Sequence, residues 1–214
     1  MTRPGEPLDV LLGRAVVAAS LDGPDSDDDA AVFAAVVRVI ADHGVRAVTM
    51  DRIATASGVS RATLFRRFES KDGLLQQALT HEVRQFLKQM AHALNETPSV
   101  PDRIVGALTS ALSLSSHPLL YGDLDEVDRS DFRRALTSGS PSALELGHEF
   151  VTGRIASAQA SGEIPPGDAD LKADVLIHVV LGYALVPHSS IDITDESVLR
   201  TIATKALLPI VMGG

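Results

Sequence analysis

An all-α fold is predicted for this chain by three features of its sequence. Apolar residues recur at helical spacing from Ala30 onward, small polar capping residues stand ahead of several apolar runs, and the alternation typical of strands is missing. No internal repeat or low-complexity tract interrupts this pattern.

The apolar run Leu8 to Ala19 contains Asp9 and Arg14 and has only Arg3 ahead of it, a poor secretory signal. Residues 1–26 are therefore expected to form an extra helix or a loosely held arm. Ala30 to Ala41 is apolar on most faces, follows the capping cluster Asp27-Asp28-Asp29 and stops at Gly44, as a core helix would. Thr49 caps a short helix through about Ser57, Gly58 breaks it, and Ser60 caps another through about Phe68. Ser70 caps a longer helix whose stripe is Leu74, Leu75, Ala78, Leu79, Phe86 and Leu87. Asn95 to Pro101 reads as a tight connector. Helices are expected near 102–115, 142–161, 169–187 and 195–211, with an irregular Pro/Gly/Asp-rich stretch from His117 to Pro141.

Composition removes several classes of function. The 214 residues contain no Cys, which excludes disulfides, thiolate metal sites and a Cys nucleophile and permits a reducing, cytoplasmic location. Trp is absent and aromatics make up 4%, too few for stacking platforms on single-stranded nucleic acid. No uncharged apolar stretch reaches the length of a membrane span. No G-x-S-x-G, P-loop, H-E-x-x-H or EF-hand pattern occurs, so no catalytic residue and no cofactor is expected. His81 and His92 share a helix face but lie about three turns apart, too far for one metal ion, and no metal site is expected.

The formal net charge is −9, but it is unevenly distributed. Residues 1–29 sum to −5, residues 30–90 to +4 with nine basic side chains, and residues 91–214 to −8. One basic segment in an acidic chain is a local electrostatic footprint for an anionic partner, not a general affinity for polyanions.

That segment holds two short capped helices joined at Gly58, the arrangement of a helix-turn-helix. Ala54 is small where the helices cross, and Gly58 can take the left-handed conformation of the turn. Val59, Leu64 and Phe68 supply an inward face toward Ile53 and Phe33. Arg61, Ala62, Thr63, Phe65, Arg66 and Arg67 then point outward. A recognition helix lies in the major groove with its N-terminal residues near base edges, so Arg61 and Thr63 are the candidate readers. Arg pairs with guanine O6/N7, and Ala62 or the Thr63 methyl suits a thymine methyl. The helix starts at Thr49, Ser60 and Ser70 offer free N–H groups to phosphates, with Arg52, Arg67 and Lys71 adding charge. The opposing interpretation, an ordinary solvated Arg-rich face, fits any one of these signals but not their coincidence within about twenty-five residues.

Val48 to Leu79 (VTMDRIATASGVSRATLFRRFESKDGLLQQAL) resembles the DNA-binding domain of the TetR family of one-component transcriptional regulators. The matching positions are Thr49, Ile53, Ala54, Gly58, Val59, Ser60, Thr63, Leu64, Phe68, Lys71 and Leu74, with Ser57 in place of the usual Ala. The resemblance implies residues 27–70 as a three-helix DNA-binding domain and residues 71–214 as a larger helical domain for effector binding and dimerisation. It further implies a dimeric repressor of double-stranded operator DNA that lets go when a small molecule binds. Two departures stand out. Phe65 occupies the family's Tyr position, losing a hydroxyl that commonly meets phosphate, and Arg66 or Arg67 is placed to substitute. The acidic DGPDSDDD stands where many members carry a basic minor-groove arm, so no arm contact is expected.

Beyond residue 90 the resemblance rests on layout. Residues 169–187 are apolar nearly all round from Val175, so the helix needs cover on two sides. Together with the final helix, striped by Val198, Ile202, Ala206 and Ile210, it suggests a four-helix dimer contact; burial of both helices in a monomeric core is the alternative. Polar or aromatic side chains within apolar patterns are the effector-binding candidates: His117, Tyr121, Phe132, His148, Phe150, His178 and Tyr183. The acidic run Asp123 to Asp131 reads as a solvated face, with Asp125 and Arg129 at i,i+4 spacing, or as a cation-attracting pocket mouth. A DNA-binding protein without an effector and an all-helical enzyme are the contrasting functions.

Overall fold

The computed structural model describes residues 7–20, 27–95, 97, 99–113, 117, 130, 134–138, 141–186 and 190–213. Among them every regular element is helical. Tyr121, Phe132 and the acidic run Asp123–Asp131 lie outside the described residues. Two compact units emerge: Met1–Gln85 with His117–Ala143, and Phe86–Ser116 with Leu144–Gly214.

The first unit is built from α1 (Leu8–Ser20), α2 (Ala30–His43), α3 (Met50–Ser57), α4 (Arg61–Phe68) and the first turns of α5 (Lys71–Asn95). Its core gathers Val32, Phe33, Val36, Val37 and Ile40 of α2, Ile53 of α3, Leu64 and Phe68 of α4, and Leu74, Leu75, Ala78 and Leu79 of α5. Ile53 and Leu64 have no accessible surface, a burial that stabilises each by ~1.5–3 kcal/mol. The Phe33 and Phe68 rings meet at 6.0 Å with an interplanar angle of 58°. This is a favourable tilted pair that fixes the end of α4 against α2.

Three details of this unit go beyond what the sequence specified. Of the two alternatives for the N-terminal segment, the structure has the packed helix: Leu8, Leu11, Leu12 and Ala15 are buried at i, i+3, i+4, i+7 spacing. Arg14 Nε donates to Gln76 Oε1 at 3.0 Å and Arg84 Nη2 donates to the Ala18 carbonyl at 3.0 Å, holding α1 to α5. Second, Asp29 occupies the N-cap of α2 but makes no capping hydrogen bond, and its carboxylate pairs with Arg67 of α4 instead. Third, the compact unit runs past residue 70, because the first turns of α5 bury their leucines in the same core as α4.

The second unit contains the end of α5, α6 (Val100–Ser113), α7 (Ala143–Ala160), α8 (Ala169–Leu185), α9 (Glu196–Ile202), a π-helical turn Ala203–Leu207, and α10 (Leu208–Met212). Val105, Leu108, Leu112, Ala184, Leu199, Ile202, Ala203 and Leu207 form its main core, with Leu176, Val179, Val180 and Tyr183 packed against it. Gly106 brings α6 close to α5: a Cβ there would lie 3.2 Å from that of Ala93. Lys172 is buried and donates from Nζ to the Val211 carbonyl at 2.9 Å, a cation on the last turn of α10. Helix α8 ends at Leu185 rather than 187, because the residue before Pro187 is driven out of helical geometry; Val186 has ψ 93°.

The last segment was expected to be one helix. Pro209 lacks an N–H and its ring would press on the Lys205 carbonyl, and the chain widens into the π turn ahead of it. The row buried inside this unit is Leu199, Ala203, Leu207 and Val211, one residue on from the expected stripe. Of that stripe Ile202 is buried, Val198 and Ile210 are half-buried and Ala206 is exposed.

Candidate nucleic-acid interface

Local chemistry explains both helix starts of the reading head. Thr49 has extended backbone and its Oγ1 accepts from the Arg52 N–H at 3.2 Å. Ser60 does the same for the Thr63 N–H at 3.2 Å, and its Oγ also lies 2.9 Å from Thr63 Oγ1. Between them Gly58 has φ 70° and ψ 7°, the left-handed conformation that costs an L-residue ~1–2 kcal/mol. A third cap follows α4: Ser70 Oγ accepts from the Gly73 N–H at 3.0 Å. Glu69, between Phe68 and Ser70, has φ 61°, and the Ser70 N–H reaches back to the Phe68 carbonyl at 2.6 Å. That is a γ-turn of the rare positive-φ kind, a strained reversal between α4 and α5.

Because Leu64 and Phe68 are buried, helical geometry turns the other face of α4 outward. Arg61, Ala62, Phe65, Arg66 and Arg67 are exposed and Thr63 is half-buried. Arg52 and Ser60 share this exposed region, and Lys71 is half-buried at the start of α5. The structure thus brings the predicted DNA-binding residues of α3, α4 and the α5 start into one unit, but their charges are not equally available. Arg66 makes no ion pair among the described residues. Arg67 is tied to Asp29 and lies 5.9 Å from the Phe68 ring centroid, so it also braces α4 against the start of α2. Arg52 Nη1 donates to the Ala47 carbonyl at 2.9 Å, and Lys71 sits 3.5 Å from Asp72.

Arg61 has the most organised setting. Its Nη1 donates to both carboxylate oxygens of Asp51, at 2.9 and 3.0 Å, across the turn between α3 and α4. Its guanidinium carbon lies 5.4 Å from the centroid of the exposed Phe65 ring. Sequence reasoning missed Asp51 because the pair joins residues ten apart on different helices, a spacing that no helical periodicity marks. The Asp29–Arg67 pair was invisible for the same reason.

The described effector-binding candidates are divided between the two units. His117 belongs to the first unit, 3.0 Å from Glu82, on an open groove of about 440 Å³ lined by Ala34, Val37, Arg38, Ala41 and Asp42. In the second unit His148 Nε2 lies 3.2 Å from the Asp170 carbonyl, Phe150 is exposed, and the exposed His178 neighbours Asp174 at 3.4 Å. Tyr183 packs against the main core. No cluster of three or more His, Asp or Glu side chains able to hold a metal ion occurs among the described residues.

Two capped helices about a left-handed glycine, with a basic exposed face on the second, define a helix-turn-helix DNA-binding protein. Residues 32–78 match the family of bacterial regulatory proteins described as the tetR family, so the chain carries a DNA-binding domain of that kind. It is 24% identical over 193 residues to an HTH-type transcriptional regulator of Mycobacterium tuberculosis strain H37Rv, covering 88% of this chain and 96% of the relative. A transcriptional regulator from Cytophaga hutchinsonii has a similar fold (TM-score 0.58, 20% identity, 87% of this chain and 97% of that one). AibR, solved with isovaleryl coenzyme A and operator DNA, is similar at TM-score 0.54 and 18% identity over 82% of this chain and 96% of AibR. The fatty acid degradation regulator FadR from Bacillus halodurans gives TM-score 0.55 and 17% identity over 89% and 98%. No described helix is long and apolar enough to cross a membrane.

Proposed function

We propose that this regulator is a cytoplasmic homodimeric repressor that grips double-stranded operator DNA through α4 and releases it when a small molecule enters its C-terminal helical domain. Residues 27–70 serve as the DNA-binding domain, and residues 71–214 bind the effector and dimerise. The observation that carries the reading is the α3–Gly58–α4 geometry, with Arg61 exposed at the N-terminal end of α4. Thr49, Arg52, Ser60, Arg66, Arg67 and Lys71 orient the protein on phosphates, while Arg61, Ala62 and Thr63 face the bases and Phe65 lies beside them on the same exposed face.

Dimerisation is supported by the outer face of α8. Leu171 and Val186 are exposed, and Gly182 is open, its added Cβ meeting nothing within 4 Å. This face and the Val198, Ala206, Ile210 side of the last helices suit a second copy. Effector release is supported by α5, whose first turns bury leucines with α4 and whose end packs Ala93 against Gly106 of α6. A shift of α5 driven by a ligand alters the setting of α4. The response is bounded by the ligand's preference for the released state, typically ~1–3 kcal/mol or about 5- to 150-fold in affinity.

The test is a binding-site selection from random duplex with the purified chain, followed by titration of the selected operator with small molecules. Isovaleryl coenzyme A, the AibR ligand, is a reasonable first probe. A compound that lowers operator affinity at least 5-fold without dissociating the dimer is expected. Operator binding by a monomer, or binding unmoved by every compound that occupies the C-terminal domain, contradicts the proposal.

A further inference from the structure

We infer that Asp51 is a positioning residue that determines what Arg61 reads, converting a side chain that would otherwise settle on phosphate into a base-selective one. The inference rests on the proposed docking of α4 in the major groove. Free Arg side chains are long, flexible and attracted first to the phosphate backbone, which supplies the sequence-independent part of affinity. Here the guanidinium is held on two sides. Asp51 on α3 takes Nη1 with both oxygens, and the Phe65 ring on α4 lies 5.4 Å from its central carbon.

The consequences follow from charge and geometry. Only Nη1 is committed to Asp51. The N–H groups on Nε and Nη2 remain as a two-pronged edge, which suits guanine O6 and N7. The carboxylate offsets the Arg charge locally and repels a nearby phosphate, so the pair favours the dipolar edge of a base over the anionic backbone. Holding the side chain in advance also lowers the rotamer entropy lost on binding. Arg61 and Asp51 are 58% and 66% exposed, so water screens the pair and it adds little to folding stability. Its effect should appear in DNA selectivity.

The experiment uses the full chain and compares wild type, Asp51→Asn, Arg61→Ala and the double variant. Each is measured by binding-site selection, by affinity for the selected operator and its single-base variants, and by a salt series on random-sequence duplex. Arg61→Ala first identifies the base pair that Arg61 reads, by a loss of discrimination there of roughly 5- to 150-fold. At that base pair Asp51→Asn is expected to lose at least 5-fold of discrimination, with other positions unchanged. Binding to random duplex should tighten, and the slope of log affinity against log salt should steepen by about one per protomer as Arg61 turns to phosphate. In the Arg61→Ala background Asp51→Asn should change neither the discrimination at that base pair nor the salt slope. A merely structural role for Asp51 would lower affinity at all positions together and persist in that background, and that result overturns the inference. Unchanged discrimination in Asp51→Asn overturns it as well while leaving the docking intact. Unchanged discrimination in Arg61→Ala removes the docking and the inference together.

Discussion

Replacing Gly58 by Ala tests whether the turn between α3 and α4 depends on backbone conformation alone. Gly58 sits at φ 70° and ψ 7°, and a Cβ placed on it meets no atom within 4 Å. No steric cost arises from neighbours, so the whole penalty is the left-handed conformation, ~1–2 kcal/mol for an L-residue. The stiffer unfolded chain returns ~0.4–1 kcal/mol. The net expectation is a loss of about 1 kcal/mol, a fall of roughly 2–4 °C in melting temperature for a chain of this size. Gly58→Asn should lose less, since Asn tolerates this region, and Gly58→Val more, although all three side chains project into open space. Thermal melts followed by helical circular dichroism provide the measurement. A Gly58→Ala protein at least as stable as wild type, or a loss that grows with side-chain volume rather than with backbone preference, refutes the argument.

Gly73 presents the opposite case. It lies inside α5, where Ala normally gains ~1 kcal/mol in helix propensity, but its Cβ would sit 2.8 Å from the Phe68 carbonyl oxygen. Gly73→Ala should therefore destabilise by ~1–3 kcal/mol and weaken operator binding, read from urea melts and titrations. On α8, Gly182→Glu replaces a helix glycine at which an added Cβ meets nothing within 4 Å. It should leave the monomer's helix content intact and convert a dimer to a monomer by light scattering. In the second unit, Arg103 donates to Glu163 at 2.6 and 2.8 Å and holds that carboxyl below its usual pKa. The Ser99 hydroxyl at 2.6 Å, and then Arg200 at 3.0 Å, do the same for Asp102. A lowered carboxylate pKa contributes stability that is fully present above the ordinary carboxylate range and is lost as pH falls through the lowered native value. Acid unfolding of this unit should therefore be shallower in Glu163→Gln than in wild type, with the two converging at low pH.

The elements that were legible in the sequence are those specified by neighbours along the chain. Thr49, Ser60 and Ser70 each accept an N–H within three residues, so helix starts could be read from composition. Buried Leu64, Phe68, Leu74 and Leu75 followed from period alone. What was hidden depends on residues brought together from separate elements. Asp29 stands at the N-cap of α2 but pairs with Arg67, and Asp51 engages Arg61 on another helix; no spacing along the chain marks either pair. The packing of α1 was open for a similar reason: its stripe is short, and the core it joins and its bonds to Gln76 and Arg84 of α5 lie far along the chain. In the last helix Pro209 was visible, but its effect was not. The π turn brings the turn length near four residues, which keeps Leu199, Ala203, Leu207 and Val211 in one straight row. The place of a small-molecule pocket was not legible, since a pocket is defined by what several helices leave empty and has no sequence period.

Titrating the purified full chain against a random-sequence duplex pool over a range of salt concentrations tests the central claim most directly. Attachment should weaken steadily as salt rises, and sequences with two related half-sites about one helical turn apart should be enriched. An absence of salt-dependent binding to any duplex in the pool would contradict that claim.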